Sequence, residues 1–233
     1  MRFAFLFVAC LCNACSSPPI QRADGSNTQR GFTLKELAKS DIDNVVETHQ
    51  QEVIAGLKTL TLKLYRRNPQ EWRKSGFANA EAAVDALYQP LSHWELAAKP
   101  DWQAALRDAW REDYAGDRVQ ALVQGLLTMH MAAYNHRTEF YYLSEIDAQK
   151  LYNSARNLEA VVWKLSNAKR ANGELFLHTN GVDAQGIANL SFEREFGKLI
   201  GIQDTLAKII EDKTNRAIRF GVVNVATMLF LPI

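Results

Sequence analysis

The residues best able to hold a metal ion or move a proton are five histidines, His49, His93, His130, His136 and His178. Their densest grouping is His130, His136 and Glu139, with Met129 and Met131 alongside. A three-residue step puts His136 and Glu139 on one face of a helix that runs through both. An imidazole beside a carboxylate is then a candidate metal pair. Di-iron bundles, however, use Glu-x-x-His twice, with further glutamates. Here the order is inverted and no second copy follows. The His-Glu-x-x-His arrangement of helical zinc sites is also missing. The three residues are weak metal candidates, and the plainer expectation is helix-face histidines satisfied by their neighbours, with no metal and no cofactor. Glu47, His49 and Glu52 form a similar group, which a solvated helix face explains as well.

Nucleophiles are scarce. The chain has no Gly-x-Ser-x-Gly elbow and no glycine-rich phosphate loop. Ser144 and Ser191 fall where helices should begin, and capping accounts for them. Cleaving a glycan needs a placed carboxylate or a pair. Glu139 precedes Phe140 and Glu145 precedes Ile146, so neither opens the glutamate–serine pair of helical lytic transglycosylases. The expectation is a protein that is not an enzyme.

The elements that would position these residues read as helical. Over 233 residues, 27 basic and 26 acidic side chains leave a formal charge of +1, and 47% of residues are hydrophobic. That composition excludes a mostly disordered, collagen-like or multi-span membrane chain. The near-neutral charge argues against a nucleic-acid partner.

Thr33-Leu34-Lys35-Glu36 forms a capping box, and Ser40-Asp41 offers a second start. Ile42, Val45, Val46, Val53, Leu57, Leu60 and Leu64 then make one stripe of a long helix that Asn68-Pro69 stops. Pro69 opens a short helix through Trp72. Further helices are predicted over Ala78–Leu87, over Asp101–Tyr114, and from Val119 toward His136. The next restarts near Ser144 and closes at Asn172-Gly173, with Leu151, Ala155, Leu158, Val162 and Leu165 on its buried face. Residues 173–190 read as irregular, with a short strand at Glu174–His178. Ser191 opens the last long helix, which buries Phe196, Leu199, Ile200, Leu206, Ile209 and Ile210. No fixed repeat appears. The expected architecture is all-α: an irregular bundle of three or four long helices plus short ones, with little or no sheet.

Four features suit binding rather than chemistry. Gly197 and Gly201, with Lys198 between them, predict a close helix–helix contact outside a membrane. Tyr134, Phe140, Tyr141 and Tyr142 are expected to pack the corner between two helices; the alternative is an exposed binding surface. Leu64 to Lys74 holds four basic residues and two aromatics. It is either a solvated helix end or a contact for anionic lipid or polymer. The uncharged tail from Phe220 to Ile233 is expected to be a helix end buried in the bundle, the alternative being a docking tail.

The N-terminus carries the clearest address. MRFAFLFVACLCNA joins Arg2 to an apolar run, too short to span a bilayer, and a small residue at Ala14. Leu11-Cys12-Asn13-Ala14-Cys15 resembles the lipobox of bacterial lipoproteins. It departs from that pattern in having Cys12 three places before the modified cysteine, with Leu11 one place early. Cys10, after Val8-Ala9, is a weaker alternative. The resemblance covers only the leader and Cys15. It implies a signal peptide over 1–14, a diacylglyceryl thioether and N-acylation on Cys15, and an envelope location. Ser16 in place of Asp favours the outer membrane within that family. All three cysteines lie at positions 10, 12 and 15, so cleavage before Cys15 leaves no intrachain disulfide.

Ser16 to Gly31 is rich in Ser, Pro, Gly, Asn and Gln, and residues 15–32 read as a lipidated cysteine and flexible tether. Such a tether reaches roughly 20–25 Å. The helical domain is expected over 33–233. Taken together, the expectation is an envelope lipoprotein held to membrane lipid through Cys15, acting without catalysis on an envelope protein partner. The competing expectation is a small-ligand or metal-binding bundle, or an enzyme, with its site near His130, His136 and Glu139.

Overall fold

The computed structural model describes residues 20–21, 27–28, 40–94, 100–141, 145–182, 184–219 and 230–233. The leader, Cys15, the Thr33–Glu36 capping box, Tyr142, Ser144 and most of the apolar tail lie outside the described residues. The chain divides into two compact units, Met1–Ser40 and Asp41–Ile233. In the first, β1 (Ile20–Gln21) and β2 (Asn27–Thr28) pair antiparallel, with Ile20 opposite Thr28. This pair falls inside the stretch read as a tether.

The second unit is an all-α irregular bundle, as the periodicity predicted. Its helices are α1 (Asp41–Arg67), α2 (Pro69–Lys74), α3 (Ala80–Tyr88), α4 (Trp102–Ala109), α5 (Arg118–Ala133), α6 (Ala148–Asn167) and α7 (Ser191–Thr214). A 3-10 turn, Gln89–His93, follows α3 at Pro90. Val46, Val53, Leu57, Leu60 and Leu64 of α1 are buried, as are Phe196, Leu199, Leu206 and Ile210 of α7. Leu199 sits against α1 where Gly56 has no side chain. α5 is buried nearly all round and forms the centre. No helix among the described residues is long and apolar enough to cross a membrane.

Helix ends depart from the sequence reading for identifiable reasons. α4 stops at Ala109 rather than Tyr114. Beyond it the backbone turns to present the carbonyls of Asp108, Ala109, Arg111, Glu112 and Tyr114 to the Arg118 guanidinium, at 2.8–3.4 Å. α5 stops at Ala133, short of His136. Tyr134, Asn135 and His136 form a turn in which Asn135 and His136 take positive φ and the His136 N–H donates to the Met131 carbonyl at 2.7 Å.

α6 begins one residue after Asp147, whose carboxylate accepts from the Gln149 N–H at 2.8 Å. It ends at Asn167, before Asn172-Gly173. Those two residues make a tight turn instead, with Gly173 at φ 86° and Lys169 bridged to Leu175. The strand expected at Glu174–His178 is reduced to that single bridge. Ser191 does not cap α7: Leu190 holds that position, and the Asn189 side chain accepts from the Ser191 N–H at 3.0 Å.

The end of the tail is not helical. Phe230–Ile233 runs beside α6 and is clasped there. Asn157 both donates to the Leu231 carbonyl (3.0 Å) and accepts from its N–H (2.8 Å), and Asn153 donates to the Pro232 carbonyl at 2.8 Å. Phe230 meets Trp102 edge-on, with ring centroids 5.6 Å apart.

Candidate functional site

The metal candidates do not assemble. His130 lies on α5 and is buried; Glu139 is exposed on the following loop. His136 stands outside any helix and stacks on Trp94, ring centroids 6.1 Å apart. Glu139 accepts from the Tyr141 hydroxyl at 2.5 Å. The shared helix face never forms, because α5 ends three residues before His136. Among the described residues no group of three His, Cys, Asp or Glu side chains could hold a metal ion. The second group also has local duties. His49 Nδ1 lies 2.7 Å from the Val45 carbonyl, and Glu47 accepts from the Phe140 N–H at 2.9 Å.

His130 instead joins a buried polar set. Gln203 of α7 places its amide nitrogen 2.9 Å from His130 Nδ1 and 3.3 Å from Ser154 Oγ, while its oxygen accepts from the Tyr134 hydroxyl at 3.0 Å. Because the Gln203 oxygen is taken by Tyr134, the amide N–H faces the histidine, and the ring is neutral with Nδ1 accepting. Nε2 makes no well-formed hydrogen bond, although the Gln50 backbone carbonyl offsets a little of the desolvation. Burial therefore drives the pKa of His130 down to about 3. A base that weak, enclosed in the bundle, cannot take up a proton near neutral pH. Tyr134 is pushed up by the same burial.

A second buried set lies at the other end of α5. Glu71 is fully enclosed; it accepts from Lys74 Nζ at 2.8 Å and from the Arg118 N–H at 2.7 Å. Asp117 caps α5 and accepts from the Tyr65 hydroxyl at 2.9 Å. Desolvation raises the Asp117 pKa, and burial next to Asp117 raises that of Tyr65. Arg118 spends its terminal nitrogens on backbone carbonyls. Every one of these groups holds chain to chain, and none opens toward a substrate.

The remaining sites are surface features. A cavity of about 290 Å³ lies between the start of α1 and the end of α7, lined by Asp43, Glu145, Lys213 and Arg216 with Ile42, Val46, Ile146 and Ile210. A groove of about 360 Å³ runs between α6 and α7 past Val162, Trp163, Phe196, Gly197 and Ile200, with Glu159 and Glu193 on its lining. Burial raises the Glu159 pKa. The groove's walls are apolar, with Ser166, Asn167 and the two acids as the polar part of the lining, an arrangement that suits binding. Gly197 and Gly201 face open space here: a Cβ at either would meet nothing within 4 Å. The helix–helix contact predicted for them is absent among the described residues, because α7 turns its larger residues inward.

Of the corner aromatics, two pack as expected, and Tyr141 is only half-buried with its hydroxyl on exposed Glu139. Tyr134 and Phe140 are buried, with centroids 6.0 Å apart. The basic segment is largely engaged: Arg66 pairs with Glu81, Arg67 donates to the Thr179 carbonyl, and Lys74 holds Glu71. The sequence reading passed over Trp163, which is 45% exposed. Its signal was available: it falls between Val162 and Leu165, off the stripe those residues define. Comparison with protein-family models, with curated proteins and with solved structures finds no match.

Proposed function

We propose that the chain is a membrane-anchored cell-envelope lipoprotein whose helical unit is a non-catalytic interaction or accessory module. The observation that carries the reading is the Leu11–Cys15 lipobox pattern behind a short basic and apolar leader. Acyl chains on Cys15 would supply the membrane contact, since several together anchor durably where one alone does not. Ser16 favours the outer membrane. The non-catalytic part draws support from the uses of the buried titratable groups. His130, Glu71, Asp117 and Arg118 are committed to side-chain and backbone partners. The α6–α7 groove, with exposed Trp163 at its edge, offers apolar area to an envelope protein.

The test is metabolic palmitate labelling in a Gram-negative host, followed by mass spectrometry of the N-terminal peptide. A mature chain beginning at an acylated Cys15, with label abolished by Cys15→Ala, is expected. An unacylated N-terminus at another position would overturn the anchor. In-cell cross-linking of the lipidated protein, with Cys15→Ala as control, then seeks the partner. Turnover of an envelope substrate that disappears in a single-carboxylate variant would overturn the non-catalytic reading.

A further inference from the structure

The large hydrophobic side chains exposed among the described residues are Trp163, Val182, Ile187 and Leu190. They do not scatter. α6 and α7 run antiparallel, as the Arg156–Asp204 ion pair and the Trp163–Phe196 groove require. The end of α6, the connection 168–190 and the start of α7 therefore share one end of the unit. α1 finishes there too: Arg67 donates to the Thr179 carbonyl and Lys63 to the Ser191 carbonyl.

Val182, Ile187 and Leu190 belong to a short hairpin. Val182 bridges Ala188, the Asn189 N–H donates to the Gly181 carbonyl at 2.8 Å, and Gly186 turns the chain at φ 81°. Val182 and Ile187 are 67% and 66% exposed, and residues 184–190 are exposed throughout. The hairpin's three large apolar side chains are each more than half exposed. Side chains that project from a tip fit a fluid apolar phase, whereas protein hot spots favour well-packed, desolvated pockets.

The charges nearby are mixed, with bases in excess. Lys63, Arg66, Arg67, Lys164, Lys169 and Arg170 come from the last turns of α1 and α6 and the chain beyond α6, and Arg194 and Lys198 from the first turns of α7. Against them stand Glu81, Glu159, Glu174, Glu193 and Glu195, and the sequence adds Asp183. Glu81 is engaged by Arg66, Glu193 by Asn180, and Glu195 by Lys198. Lys169 is exposed and pairs with no acid among the described residues. An exposed apolar hairpin at an end of the unit where bases outnumber acids matches a bilayer that carries anionic headgroups.

We infer that the hairpin Gly181–Leu190 is a lipid-docking tip, which inserts Val182, Ile187 and Leu190 into the interface of an anionic membrane while the surrounding bases meet phosphate. This deepens the anchored reading and rests on it for a membrane within reach. It needs no acylation of its own, so the two can fail separately.

The test uses the full chain with Cys10→Ser, Cys12→Ser and Cys15→Ser, labelled with an environment-sensitive fluorophore at Ala184→Cys or, as control, at the exposed α7 position Thr205→Cys. Vesicles contain phosphatidylglycerol and phosphatidylethanolamine in equal parts, or phosphatidylcholine alone. The expected result is a blue shift and quenching by brominated lipid at 184 but not at 205. The shift should be roughly tenfold weaker on phosphatidylcholine, and roughly tenfold weaker again in Val182→Glu/Ile187→Glu. A label at 184 that stays in water while the chain co-sediments with anionic vesicles overturns the inference. So does equal shielding at 205, or shielding at 184 that requires an envelope-protein extract. Absence of acyl groups on Cys15 in the cell would overturn the anchor and leave this measurement standing.

Discussion

The α4–α5 pair and the α6–α7 pair are both antiparallel helix hairpins, and they treat small residues in opposite ways. In the first, Leu106 packs onto Gly125, where an added Cβ would fall 2.7 Å from the leucine side chain and 3.0 Å from its backbone nitrogen. In the second, Gly197 and Gly201 look into open space, Gly197 in the groove that exposed Trp163 lines. α5 is buried nearly all round, with only Gln120, Gln124 and Ala132 partly exposed. α6 and α7 carry one-sided stripes, and their outer faces remain available. The difference separates a pair whose surface is consumed in folding from one that leaves part of its surface in solvent.

The sharpest way to break the closed pair is at Arg118. Its guanidinium gathers carbonyls from both sides of the α4–α5 turn and lies over the Phe176 ring. Arg118→Met would strand those carbonyls and remove a cation close to buried Glu71. We expect a loss of about 3–5 kcal/mol in urea unfolding. Arg118→Lys would recover only part, because an ammonium lacks the planar fork. A loss under about 1 kcal/mol in Arg118→Met would show that the turn is held by its apolar contacts.

Acid tests the other end of α5. His130 has a folded pKa near 3 and an ordinary value near 6.5 when unfolded. Between these values the unfolded chain binds the extra proton. Stability is therefore full above about pH 6.5 and declines as pH falls, at roughly 1.4 kcal/mol per pH unit from this group. His130→Gln should start less stable at pH 7 and lose less between pH 6.5 and pH 4. Parallel slopes of urea midpoint against pH in the two proteins would assign the acid sensitivity to other groups.

What the sequence disclosed follows from the range of the interactions. The stripe of Leu57, Leu60 and Leu64 is local, and a helix-period pattern finds it. The true end of α4 depends on Arg118, several residues beyond the helix it terminates. The non-helical end of the tail depends on Asn153 and Asn157, more than seventy residues upstream. The state of His130 depends on Gln203, seventy-three positions away. Spacing suggested a metal pair at His136 and Glu139 because the helix was extended past Ala133. Asn135, a residue that tolerates left-handed backbone, was the available warning.

The smallest expected effect discriminates best between the two hairpins, because one substitution should have opposite signs in them. Gly→Ala in a helix interior gains roughly 0.5–1 kcal/mol where the methyl finds room. Gly197→Ala and Gly201→Ala should each raise stability by that amount, since nothing lies within 4 Å. Gly125→Ala should lower it by about 1–2 kcal/mol, because the Leu106 backbone cannot yield and overpacking outweighs propensity. Urea midpoints of the three variants at one pH are sufficient. A Gly197→Ala variant that unfolds like Gly125→Ala would mean that the α7 face is already covered in solution, and the groove beside Trp163 would no longer be open to a partner. A stabilised Gly197→Ala variant that loses a cross-linked envelope partner would assign the open face to that partner's backbone, since a single methyl then blocks approach without harming the fold.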